Sequence, residues 1–296
     1  PLEYLIYQIA PLNKPTVIFG STCAGKSQFA VVLNILIALP WKDNPLRLIP
    51  PVKPVTALFL DYEADEDDLR RQLVSLVSGM ELAPVRLNYR RCSLPLADDI
   101  EAISNHSEAI GAKCIFIDSM SLAAGGDLNH MDIATDYFRA LRQLRDITSL
   151  SFAHTSKERD VKTRTIIGSM LWEAGARSVW EIRGEELEDA FGIGLFHRKA
   201  NLSKKAKSLG YRIDYSNDMP VSIDWLDPKS VPEFLERMGV KERILNTLKR
   251  GRLSSADLTT LLEIKRNTVD ANVRRLAKAD LIVGDSNGWG LPSKDI

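Results

Sequence analysis

An eight-residue loop constrains this chain more than any other feature. Gly20-Ser21-Thr22-Cys23-Ala24-Gly25-Lys26-Ser27 reads G-x-x-x-x-G-K-S, an order that sits between an entering strand and a leaving helix. Both flanks are present. Thr16-Val17-Ile18-Phe19 reads as a buried strand and residues 28–39 as an apolar helix. A strand–loop–helix unit of this kind commits the N-terminal part to an α/β architecture. The glycines let the backbone turn and approach an anion with no side chain between. Backbone N–H groups and the helix N-terminus then face that anion. Lys26 reaches toward the β- and γ-phosphates of a nucleoside triphosphate such as ATP, and Ser27 is a ligand for Mg²⁺. At ordinary frequencies of Gly, Lys and Ser the pattern arises in roughly one chain in a hundred of this length.

Apolar strand patterns alternate with helical ones through the first two thirds. Strands are expected at 55–60, 113–117, 150–153, 179–182 and 194–197, and helices at 66–78, 98–110 and 133–145. Residues 211–214 and 221–225 read as a hairpin around Asn217-Asp218. The alternation predicts a mostly parallel sheet flanked by helices. A linker is expected near Asp227-Pro228-Lys229, which divides the chain into domains at 1–228 and 229–296.

Two strand ends carry acids. Cys114-Ile115-Phe116-Ile117-Asp118-Ser119 is the Walker B pattern, and Asp118 is expected beside the phosphate loop, holding the Mg²⁺ shell. Leu58-Phe59-Leu60-Asp61-Tyr62-Glu63 is the second. ATP hydrolysis needs a carboxylate to orient and deprotonate water. Glu63 is the first candidate and Asp61 the second. Asp65, Glu66, Asp67 and Asp68 read as a solvated helix start favoured by the helix dipole.

The order of these motifs, closed by a strand ending in His154, resembles the RecA-like ATPases. Closer echoes are Leu5-Ile6-Tyr7, Asp61-Tyr62-Glu63 followed by Asp68-Leu69-Arg70-Arg71, and Ile117-Asp118-Ser119-Met120-Ser121-Leu122. Phe152-Ala153-His154-Thr155-Ser156-Lys157, Ile167-Gly168-Ser169 and Ala176-Arg177-Ser178-Val179-Trp180 are the more specific ones. Over residues 1–226 the chain resembles the RepA-like hexameric replicative helicases of plasmids and phages and their AAA_25-type relatives. The resemblance implies that His154 senses the γ-phosphate. It implies that Lys157, Arg159, Lys162 and Arg164 lie on a loop that faces a ring channel and grips single-stranded DNA. Residues 125–130 are the other candidate channel loop. A cation from a neighbouring subunit completes such sites. Arg177 is the first candidate for it, with Arg198 and Lys199 second, because related rings carry Lys-x-Arg where this chain has Lys199-Ala200-Asn201.

Beyond residue 240 the pattern changes. Ile244, Leu245 and Leu248 share one helical face. Ser254 or Ser255 caps a second helix with Leu258, Leu261 and Leu262 inward. A third carries Val269, Val273 and Leu276, and residues 281–283 and 288–291 read as a two-stranded wing. The set resembles a winged helix-turn-helix. In such motifs Lys265, Arg266, Arg274 and Arg275 face the DNA major groove, although winged helices also bind protein or pack on their own ATPase.

Charge supports this division weakly. From Lys229 onward there are 13 Lys/Arg against 9 Asp/Glu, leaving 26 against 30 before it. Cys23, Cys92 and Cys114 form neither a metal spacing nor a paired framework, which points to a reducing compartment such as the cytoplasm of a bacterium, archaeon or phage-infected cell. No signal-peptide pattern is visible, and the start at Pro1 reads as a trimmed piece. The reading favours a ring-shaped, hexameric ATP-dependent helicase or translocase on single-stranded or forked DNA. Its candidate partners are a replication initiator, a primase or other mobile-element proteins, with no membrane association. The alternative is a nucleotide-switched, recombinase-like DNA-binding ATPase that does not unwind. A vestigial ATPase is disfavoured, because both Lys26 and Glu63 are present.

Overall fold

The computed structural model describes residues 2–39, 41–155 and 165–292. The chain divides into two compact units, Pro1–Asp227 and Pro228–Ile296.

In the first unit a short hairpin of β1 (Tyr4–Ile6) and β2 (Ala10–Pro11) precedes β3 (Pro15–Gly20), the phosphate loop and α1 (Lys26–Ala38). There follow β4 (Ala57–Asp61), α2 (Glu66–Gly79), β5 (Tyr89–Arg91), α3 (Ile100–Ile110) and β6 (Cys114–Asp118). After these come α4 (Met120–Ala123), α5 (Met131–Gln143), β7 (Thr148–His154) and α6 (Leu171–Gly175). Four strands finish the unit: β8 (Ser178–Glu186), β9 (Phe191–Ala200), β10 (Leu209–Ser216) and β11 (Met219–Trp225).

Nine of these strands form one sheet in the order β11-β10-β9-β8-β3-β7-β6-β4-β5. From β8 across to β5 every pairing is parallel. The strands β8 to β11 pair antiparallel. The parallel part is buried on both faces, so β6 reads Cys-Ile-Phe-Ile-Asp without alternation and is buried throughout. One face packs α1 and α2 over Ile18, Phe59, Phe116 and Phe152. The opposite face packs α3, α5 and α6 over Val17, Leu58, Ile115 and Ala153, with Trp172 fully buried among them. Helix α1 is buried on nearly every side, which explains its continuous apolar run. No described helix is long and apolar enough to cross a membrane.

Register decides where chemistry collects. Gly20 pairs with His154, Asp61 with Asp118, and Asp118 with Phe152. The carboxyl ends of β3, β4, β6 and β7 thus share one edge, where open α/β sheets bind ligands.

The second unit begins with α7 (Pro232–Leu235) and α8 (Val240–Thr247), followed by α9 (Ser255–Leu262) and α10 (Arg266–Lys278). A hairpin of β12 (Val283–Asp285) and β13 (Gly288–Gly290) ends it. Ile244, Leu248, Leu258, Leu262, Val269, Val273, Leu276 and Ile282 make its core. Ser254 is the α9 cap, in a reciprocal capping box with Asp257. β12 starts two residues later than the expected 281 because Ile282 is drawn into the helical core. Leu253 also exchanges backbone hydrogen bonds with Trp289, at 3.0 and 2.8 Å.

Candidate functional site

The phosphate loop is shaped for an anion. A Cβ built on Gly20 would lie 2.4 Å from the Ile182 carbonyl oxygen, so the close strand approach requires glycine there. Gly25 adopts φ 79°, the left-handed region, and caps α1 with no side chain bonded to the helix N-terminus. The first N–H groups of α1 therefore keep their capacity for a ligand. Lys26 is buried, and its Nζ donates to the carbonyls of Ser21 at 2.7 Å and Gly20 at 3.3 Å. Burial lowers its pKa, opposed by the carboxylates of Asp118 and Glu63.

Ser27 Oγ donates to Asp118 Oδ2 at 2.5 Å, which joins the loop to the end of β6. Burial pushes the Asp118 carboxyl up, against the Ser27 hydrogen bond. A buried carboxylate beside a hydroxyl is a hard-oxygen donor pair, and a divalent cation would offset its desolvation. The residues present thus fit Mg²⁺.

The end of β4 separates its two acids. Asp61 is buried, and its Oδ1 accepts from the N–H groups of Glu63 at 3.0 Å and Ala64 at 2.8 Å. Its Oδ2 accepts from Tyr89 Oη at 2.8 Å. With both oxygens engaged, Asp61 is a turn organiser rather than a second candidate base. Glu63 is half exposed, and its Oε2 lies 3.5 Å from His154 Nε2. Burial raises the Glu63 pKa, but the Ser119 hydroxyl, His154 and Lys26 outweigh it and bring it below the usual glutamate value. The group is an available carboxylate at neutral pH.

The three candidate trans cations stand elsewhere. Arg177 precedes β8, is exposed, and donates its N–H to the carbonyl of Pro15, at the start of β3. β3 is six residues long, so this edge lies on the order of 17 Å from the phosphate loop at about 3.3 Å per residue. Arg177 cannot serve its own subunit's loop from there. Arg198 is paired with the buried carboxylate of Glu181, its Nε at 2.6 Å. Lys199 Nζ donates to the carbonyls of Glu173, Ala174 and Ala176 at 2.6, 3.1 and 3.1 Å, closing the C-terminus of α6.

The loop at 125–130 is anchored. The Leu128 carbonyl accepts from Ser169 N–H and from Trp172 Nε1, each at 2.8 Å. Lys157, Arg159, Lys162 and Arg164 lie outside the described residues. In the second unit Lys265 precedes α10, and Arg266, Arg274 and Arg275 on that helix are exposed; Arg266 is 3.8 Å from Asp270.

A cleft of about 800 Å³ gathers Thr22 to Gln28 with Glu63, Asp118 and His154. It also takes in residues 186–191 of the β8–β9 turn, together with Tyr215 and Asp218 of the β10–β11 hairpin. Sequence reasoning did not single out these last residues as part of the site. Asn217-Asp218 was legible as a turn, but its proximity to the loop follows from the strand order β11-β10-β9-β8-β3.

The AAA_25 family model, described as an AAA domain, matches residues 1–160. Among solved structures the chain is similar to a KaiC-like protein from the hyperthermophilic archaeon Pyrococcus horikoshii OT3. That match has 16% sequence identity and a TM-score of 0.52, and covers 77% of this chain and 100% of that one. At such identity the likeness concerns the fold alone. No curated protein matches the chain in sequence.

Proposed function

We propose a DNA-directed motor on one premise: the chain belongs to the AAA_25 family and is a RecA-like P-loop ATPase. The observation that carries the proposal is the shared edge of β3, β4, β6 and β7. Lys26, Glu63, Asp118 and His154 meet there, and β7 ends at that edge two residues before the basic segment 156–164 begins in the sequence.

In this reading the residues of the loop, Gly20 to Ser27, hold ATP through backbone N–H groups. Lys26 exchanges its carbonyl partners Gly20 and Ser21 for phosphate oxygens. Glu63 orients a water molecule and accepts its proton as the water oxygen bonds to the γ-phosphorus and ADP leaves. His154 contacts Glu63 and reports the state of the γ-phosphate to the segment that follows it. Ser27 and Asp118 would hold Mg²⁺, which supplies positive charge along the phosphates when bound. Arg177 acts on the next subunit's nucleotide in a hexameric ring, because its own loop is out of reach. Arg198 and Lys199 are the weaker candidates, held by Glu181 and by the end of α6.

DNA enters at two places. Lys157, Arg159, Lys162 and Arg164 track the single strand as cations suited to backbone phosphates. The second unit reads as a winged helix-turn-helix in which Lys265, Arg266, Arg274 and Arg275 of α10 contact duplex or fork DNA. The narrower likeness to RepA-like replicative helicases of mobile elements belongs to this proposal.

The test is ATP turnover with and without single-stranded DNA. DNA should stimulate the wild-type chain, and Lys26→Ala should abolish turnover in both conditions. Turnover indifferent to DNA at every concentration would overturn the DNA-directed reading.

A further inference from the structure

The cleft has two chemically different ends. At the phosphate end stand Lys26, the α1 N-terminus and His154. At the other end stand Glu186, Glu188, Asp189 and Asp218 with the ring of Tyr215. An array of carboxylates repels polyphosphate, so a nucleotide fits one way only, with its uncharged base toward the acidic end.

The side chains at that end divide by what they already touch. Phe191 sits beneath the loop, since a Cβ on Gly25 would come within 3.1 Å of its ring. Asp189 pairs with Arg212 at 3.0 Å. Among the described residues no ion pair engages Asp218. Tyr215 keeps 38% of its surface exposed and lines the cleft together with Gln28, in the first turn of α1. An exposed aromatic side chain and an unpaired acceptor thus share one cleft with the phosphate loop.

We infer that Tyr215 and Asp218 read the base: the ring stacks on it, and the carboxylate accepts a hydrogen bond from an exocyclic amino group. This rests on the ATPase site described above and adds its specificity. A carboxylate only accepts. Adenine and guanine offer amino donors, whereas hypoxanthine and unsubstituted purine do not. The chain therefore selects amino-purine triphosphates over their deaminated counterparts.

Calorimetric titration tests this with ATP, GTP, ITP, purine riboside triphosphate and inorganic tripolyphosphate. Wild type should bind ATP or GTP about tenfold or more tightly than the counterpart lacking the amino group, the scale of one hydrogen bond to a charged group. Asp218→Gly should erase that ratio, because it removes the acceptor; glycine suits the left-handed backbone there, φ 61°, so the turn is kept. Tyr215→Ala should weaken every nucleotide about tenfold, the scale of one stacked base. Tyr215→Ala should leave tripolyphosphate unchanged, and Asp218→Gly should not weaken it, since it removes a repelling charge. Equal affinities for ATP, GTP and the deaminated analogues in wild type would overturn the inference, as would an equal loss of tripolyphosphate and ATP in Tyr215→Ala. Failure of wild type to bind either ATP or tripolyphosphate would instead reject the nucleotide site itself.

Discussion

Glu63 and Asp61 stand two residues apart and receive opposite environments. Asp61 spends both oxygens on two backbone N–H groups and Tyr89. Glu63 faces the cleft beside His154. The strand-end acids were legible in sequence, because a buried apolar run ending in a carboxylate can present it only at the sheet edge. Their division of labour was not, because Tyr89 comes from β5, a three-residue edge strand reading Tyr-Arg-Arg without alternation. Glu63→Gln should keep ATP binding and lower kcat by about 10²–10⁴, the ordinary contribution of a general base. Retained turnover in single-turnover measurements would show that another group activates water.

Among the elements, the parallel strands other than β5 were read closely, and β5 and the connecting pieces less so. β6 and β7 carry buried apolar runs that declare themselves. Helices α4 and α6, of four and five residues, are too short for any helical period to show. The antiparallel part β8–β11 shapes the cleft and has its own titratable key. His197 of β9 stacks on Trp180 of β8, with ring centroids 4.2 Å apart. Its Nδ1 accepts from Ala206 N–H at 2.9 Å, and its Nε2 lies 3.2 Å from Ser178 Oγ. Burial first, then Lys205, lowers the His197 pKa from 6.5 to about 4. Between those values the unfolded chain binds the extra proton and the folded chain does not. Stability is therefore complete above the unfolded value and falls as pH drops from 6.5 toward about 4, a loss on the order of 3 kcal/mol. Urea unfolding across that window should show the slope in wild type and a flatter one in His197→Gln. An unchanged slope would assign the pH dependence to other groups.

On the scale of the molecule, the loop and its partners make a complete phosphate end within one chain, while Arg177 faces the opposite sheet edge. The sequence order of motifs made the ATPase unit legible; which cation acts between subunits was not, because Lys199 and Arg198 reveal their structural partners only once folded. Mixing variants separates the cases. Lys26→Ala and Arg177→Ala chains should each be inactive alone and regain partial turnover together, since an intact loop then meets an intact Arg177 at some interfaces. No recovery in assemblies verified to be mixed would place the essential cation elsewhere.

In the proposed function, hydrolysis moves the protein along DNA. Strand displacement from a forked duplex, with ATP and Mg²⁺, is the measurement that decides it. The wild-type chain should displace the strand, and Glu63→Gln should not. Sustained, DNA-stimulated ATP hydrolysis that never separates the strands would contradict it and leave a nucleotide-switched DNA-binding ATPase in its place.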